Sequence, residues 1–123
     1  MKPSHLTLKR HFSVLATMAL LSLGASNANA DGVHDMCVDS AKICECAARK
    51  LNAEVGDASY ALYEVIGTDY LVNKQTDMNM VEAWDAAVKS AAARKGEGFT
   101  DTLNKTNKIG SAHRDAIEAC KGG

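Results

Sequence analysis

Proline is almost missing from this chain: the single one, Pro3, lies near the start and none follows it. Its absence removes the commonest helix breaker from everything downstream. Runs of β-branched residues are lacking too, and no stretch alternates apolar and polar residues over strand length, so β structure has no signature here. Charge of one sign is not in surplus either. Lys and Arg number 14 against 15 Asp and Glu. Without a basic excess, the chain is a poor match for nucleic acid and for polybasic attachment to an anionic membrane. C-x-x-C is absent, which leaves a thioredoxin-like redox site or covalent haem attachment without support. At 123 residues there is room for one domain.

The first 30 residues read as a cleavable signal peptide. Lys2, Lys9 and Arg10 give a positive start, Phe12–Leu23 is an apolar run, and Ala28-Asn29-Ala30 places small residues where a signal peptidase cuts. The run falls short of the roughly 20 apolar residues of a membrane span. The expected product, residues 31–123, is a single helical domain with 11 basic and 15 acidic side chains, a formal net of −4. It is expected in a periplasm, soluble and without membrane insertion after signal removal.

The remaining pattern is all-α, a small four-helix domain. A first helix is expected from about Ser40 to Val55, capped by Asp39 or Ser40, with Cys44, Ala47, Ala48, Leu51 and Val55 on one stripe. A second runs from about Ala58 to Val72 behind an Asp57 cap. A third runs from Asp77 to about Arg94 and carries Met80, Val81, Trp84, Val88 and Ala91, with Lys95-Gly96-Glu97-Gly98 as the closing turn. A fourth begins near Thr100 and reaches Ala119 or Cys120, its stripe passing through Phe99, Leu103, Thr106, Gly110, His113, Ile117 and Cys120 and widened by Ile109, Ala112 and Ala116. Short connections imply antiparallel neighbours.

Four cysteines in an exported chain of this size imply two disulfides. Cys44 and Cys46 point about 200° apart on a helix and do not suit each other. Cys44 lies on the apolar stripe of the first helix and Cys120 ends that of the last, so the expected pairing is Cys44–Cys120 with Cys37–Cys46. The other use of these thiols is a zinc or copper(I) site, but structural zinc sites use two close cysteine pairs and only one is present.

The candidate ligand-binding residues are Tyr60, Tyr63, Tyr70, Trp84 and His113, aromatic and polar-tipped side chains at helical spacing. The same spacing also suits core residues, with His113 bonded to a backbone carbonyl or a tyrosine hydroxyl. Gly67 and Gly110 fall inside helices at a cost of about 1 kcal/mol each against alanine, which suggests close approach of a helix or ring. An alternative set, His34, Met36, Met78 and Met80, has the soft donors of periplasmic copper or zinc handling. No arrangement of nucleophile, base and acid is recognisable, so no catalytic residue is assigned and no cofactor is expected.

The segments C-E-C-A-A-R-K-L, Y-A-L-Y-E-V-I-G, A-W-D-A-A-V-K and H-R-D-A-I-E-A-C resemble a group of small uncharacterised exported bacterial proteins. These are helical, with an early Cys, a Cys-x-Cys and a terminal Cys. The resemblance covers most of residues 31–123 and implies location and architecture without a reaction. The functional expectation is a non-enzymatic binding module for an unidentified periplasmic protein or small ligand, with soft-metal binding as the alternative.

Overall fold

The computed structural model describes residues 31–122, and the signal peptide expected over residues 1–30 lies outside them. The described chain is all-α, with two disulfides. Five helices follow one another: α1 Gly32–Met36, α2 Ala41–Val55, α3 Asp57–Lys74, α4 Met80–Lys95 and α5 Phe99–Gly122. The last four are those expected from the pattern. The short α1 is additional, because five residues carry too little periodicity to be read.

Local chemistry sets the helix ends. Ser40 accepts from the Ile43 N–H and caps α2. Gly56, at φ +88°, sits between α2 and α3, so Asp57 is the first residue of α3 rather than its cap. There its carboxylate lies at the positive end of the helix dipole. α4 starts three residues later than Asp77. Asn79 accepts from the Glu82 N–H while Glu82 returns a bond to the Asn79 N–H, a capping box stronger than a lone Asp. Gly96, in the left-handed region at φ +69°, ends α4 inside the expected turn.

Packing is pairwise. α2 lies chiefly on α5 and α3 on α4, with α4 also against α5. One apolar cluster joins Leu62 and Ile66 of α3 to Ala87, Val88 and Ala91 of α4, flanked by Phe99 and Leu103. A second gathers Val33, Leu51, Tyr63 and Ile109 from four different helices. Trp84 packs against both.

Two stripes differ in part from those expected. On α4, Met80 and Val81 are exposed, and Ala83, Ala87, Val88, Ala91 and Ala92 face inward. On α5 the buried line is Thr102, Thr106, Ile109, His113 and Ala116: Thr106 and His113 of the expected stripe are buried with Ile109 and Ala116 that widen it, Thr102 joins them, and Phe99 and Leu103 flank the line. The two threonines are fully buried because each hydroxyl is satisfied within its own helix. Thr102 donates to the Gly98 carbonyl and Thr106 to that of Thr102, both at 2.9 Å.

α1 explains the cysteines. It packs chiefly against α3, with α2 beside it. Gly32 and Gly67 make the seat: a Cβ on Gly32 would meet the Thr68 backbone nitrogen at 2.5 Å, and one on Gly67 would collide with the Met36 side chain. Docked there, α1 leaves Cys37 over the inward side of α2, where it bonds Cys44. Cys46 faces the end of α5 and bonds Cys120, with 6.1 Å between the Cα atoms. The expected Cys44–Cys120 and Cys37–Cys46 pairing is therefore corrected. It assumed that α5 covers the Cys44 stripe at that level, and the unforeseen α1 segment covers it instead. Lys121 of α5 adds a tie to Asp39, just ahead of α2, at 3.4 Å, and is also held within its own helix by Glu118 at 3.2 Å.

Candidate functional site

The aromatic residues form a chain through the interior. Tyr70 packs edge-on against Trp84 with centroids 5.6 Å apart, Trp84 against Tyr63 at 6.1 Å, and Tyr63 against His113 at 5.5 Å. Tyr63 and His113 are buried, at 5% and 4% exposure. Tyr60, Tyr70 and Trp84 are half-buried around them. Tyr63 Oη and His113 Nδ1 lie 3.0 Å apart and share a hydrogen bond, which is the tyrosine-hydroxyl partnership considered for this histidine. Burial acts on both rings in the direction that keeps them neutral: it pushes the Tyr63 hydroxyl up to about 12 and holds the His113 imidazole below its ordinary value. The chain joins α3, α4 and α5 as a packing element. Gly110 supports it only loosely, since a Cβ there would stand 3.8 Å from Tyr63 Oη, an ordinary contact.

The soft-donor residues are spread out. Met36 is committed to the surface of Gly67. His34 is half-buried on α1, with Nδ1 3.8 Å from the Asp35 carboxylate. Met78 and Met80 are exposed at the turn between α3 and α4. All four cysteine sulfurs are in disulfides. Among the described residues, no three His, Cys, Asp or Glu side chains converge.

Two concave surfaces that periodicity did not single out run end to end along the outer seam of α2 and α5. The first, about 590 Å³, is lined by Ser40, Lys42, Ile43, Cys46, Arg49 and Lys50 from the α2 side and by Ala119 and Cys120 from α5. The second, about 510 Å³, is lined by Lys50, Ala53, Glu54, Asp115, Ala116 and Ala119. Lys50 and Ala119 belong to both, so the two form one groove. The disulfide Cys46–Cys120 pins its helices together at one end.

The groove's charge is uneven. Lys42, Arg49 and Lys50 line the half beside the disulfide, and no acidic side chain does. None of the three takes part in an ion pair among the described residues, although Glu45 lies one turn from Arg49. Glu54 and Asp115 stand on the other half. Between them the walls are Ala53, Ala116 and Ala119, which project no further than Cβ. The sequence did carry this signal: Lys42, Cys46, Arg49, Lys50 and Ala53 recur at helical spacing on the side of α2 turned away from Leu51. A further concavity of about 440 Å³ between α3 and α4, walled by Ala58, Leu62, Val65 and Ala91, is bordered by Arg94 and Lys95. Arg94 is already held there by Asp69 at 3.2 Å.

No protein-family model, curated protein or solved structure matches this chain. No helix among the described residues is long and apolar enough to cross a membrane.

Proposed function

We propose that this chain is an exported, non-enzymatic binding module whose contact surface is the α2–α5 groove. The observation that carries the reading is the set of three cations, Lys42, Arg49 and Lys50, in no ion pair among the described residues and walling a concavity of about 590 Å³ in a domain whose formal net charge is −4. Charges grouped against the overall balance and left without partners steer and orient a complementary partner. Two disulfides suit an oxidising compartment such as the periplasm, and one of them, Cys46–Cys120, joins the two walls of the groove, which lowers the ordering cost of binding. The aromatic residues first considered as a ligand face serve this reading by keeping the bundle rigid behind the groove.

The test is a photoreactive side chain placed at Ala119 in the protein expressed in its own cells. The expected result is a discrete adduct that disappears when Lys42 and Arg49 are both changed to Glu. It should also be missing when the same probe is placed at Ala93, an exposed position on α4. Adduct patterns that are the same at both positions and indifferent to the charge reversal would refute the assignment.

A further inference from the structure

We infer that the occupant of the groove is an amphipathic helical segment of another protein, with acidic side chains in its first turns and basic ones in its last. This rests on the binding-module reading and adds the chemistry and direction of the ligand. Length comes first. From Lys42 to Glu54 the groove follows α2 for about 18 Å at 1.5 Å per residue, which is three helical turns of an occupant.

The cations argue for an extended partner. Lys42 and Lys50 are eight residues apart, about 12 Å along the axis, so the positive charge is spread over two turns of α2 rather than gathered at one point. A chain with acids on successive turns matches that spread. A polyanion such as nucleic acid would satisfy the cations but would then run onto Glu54 and Asp115 in the other half. An anionic membrane surface meets the same obstacle. A segment whose charge changes sign along its length matches both halves.

The walls argue for a helix. Ala53, Ala116 and Ala119 offer only methyl groups along the middle of the groove, which lets a helix backbone come close and seat its own apolar face. Direction follows from the charges. Acids near a helix N-terminus and bases near its C-terminus are the arrangement that the helix dipole itself favours. Such a segment places its N-terminal turns against Lys42 and Arg49, beside Cys46–Cys120, and its C-terminal turns against Glu54 and Asp115. It runs parallel to α2.

Two labelled synthetic helices of 14 residues test this on the purified, oxidised full-length protein. They share one composition and one Ala/Leu face; one gathers its acids in the first turns and its bases in the last, the other interleaves them along its length. The acid-first peptide should bind about tenfold more tightly than the interleaved one, and a spin label on its N-terminus should broaden resonances near Lys42 rather than near Asp115. A groove with four of its five charges exchanged (K42E, R49E, E54K, D115K) should move that label to the other end. All four positions are exposed, and circular dichroism will show whether the variant keeps its helices. Equal affinities, a label unmoved by the exchange, or no binding by either peptide would overturn the inference. A persisting charge-dependent adduct at Ala119 in that event would leave the binding-module reading standing, whereas its loss would remove both.

Discussion

Cys44 and Cys46 leave α2 on opposite sides: Cys44 ties it back to Cys37, seven residues earlier, and Cys46 forward to Cys120, 74 residues later. One helix thus anchors both ends of the described chain. Because the two cysteines are separated by a single residue, the pairing can be tested by cutting that residue out of the link.

Cleavage after glutamate does this, since Glu45 lies between them. Digestion without reduction should release Cys37 and Cys44 together in one internally bridged peptide ending at Glu45. Cys46–Glu54 should be joined to the peptide beginning at Ala119. Intact protein should carry no thiol reactive toward a maleimide. A product in which Cys37 is linked to Cys46 would restore the pairing expected from the stripes.

The two bonds should differ in worth. In the chain-entropy description, the Cys46–Cys120 bond contributes about 4.5 kcal/mol and the Cys37–Cys44 bond about 2.5 kcal/mol. Cys120→Ala is therefore expected to lower the thermal midpoint well beyond Cys37→Ala, by a margin of about 2 kcal/mol in denaturant titrations. These two positions make the fairest comparison, because Cys44→Ala also empties a position that is 2% exposed.

Glycine substitutions separate close approach from mere neighbourhood. Gly32→Ala places its methyl against the Glu64 carbonyl and the Thr68 backbone, which cannot swing aside. It should undock α1, with a loss of about 2 kcal/mol or more and faster amide exchange over Val33–Met36. Gly110→Ala meets only the edge of Tyr63 and should stabilise α5 by up to about 1 kcal/mol. Opposite ranking in urea titrations would mean that α1 is not seated as described.

Tyr63→Phe removes the hydroxyl and leaves His113 Nδ1 buried without its partner. The expected cost is about 1–3 kcal/mol, with the fold retained because the ring contacts remain. A double change, Tyr63→Phe with His113→Leu, should cost less than the sum of the two single changes.

The pH dependence of stability has two opposed contributors. His113 titrates below its ordinary value because it is buried. As pH falls from about 6.5 toward its folded-state value, the unfolded chain takes up a proton that the folded chain refuses, and stability is lost. Glu64 is raised by burial and then by the nearby Asp31 carboxylate. Over the window from its folded-state value down to about 4.5 the folded chain binds the extra proton, so this residue returns stability as pH falls. Melting curves should show His113→Gln flattening the loss below pH 6.5, and Glu64→Gln raising the midpoint at pH 7. A Glu64→Gln midpoint unchanged at pH 7 would contradict the burial assigned to that carboxylate.

The four long helices were legible because their signals are local: Ser40 before an apolar stripe, Gly96 after one, and no proline between. Displacements arose where satisfaction was tertiary or internal to a helix. Thr102 looks polar but satisfies its hydroxyl on the Gly98 carbonyl, so the buried line of α5 takes it in and leaves Phe99 and Leu103 at its flank. Val33 and Gly32 form no period long enough to read, yet their docking decides which cysteine Cys44 meets. Of the groove, the helical spacing of Lys42, Arg49 and Lys50 was available. Its apposition to Ala119 and Asp115 depends on the α2–α5 register, which only the Cys46–Cys120 link makes plain.

That double attachment has a mechanical consequence. A pull applied at Cys37 and Cys120 travels through one bridge to Cys44, across Glu45 to Cys46, and through the second bridge to Cys120. The tension never enters Ala47–Ala119, so the bundle and its groove ride beside a covalent bypass. Under load between its ends, the oxidised chain should extend by only a few residues' length before covalent bonds carry the force, and its helices should yield only once a reductant has opened the path.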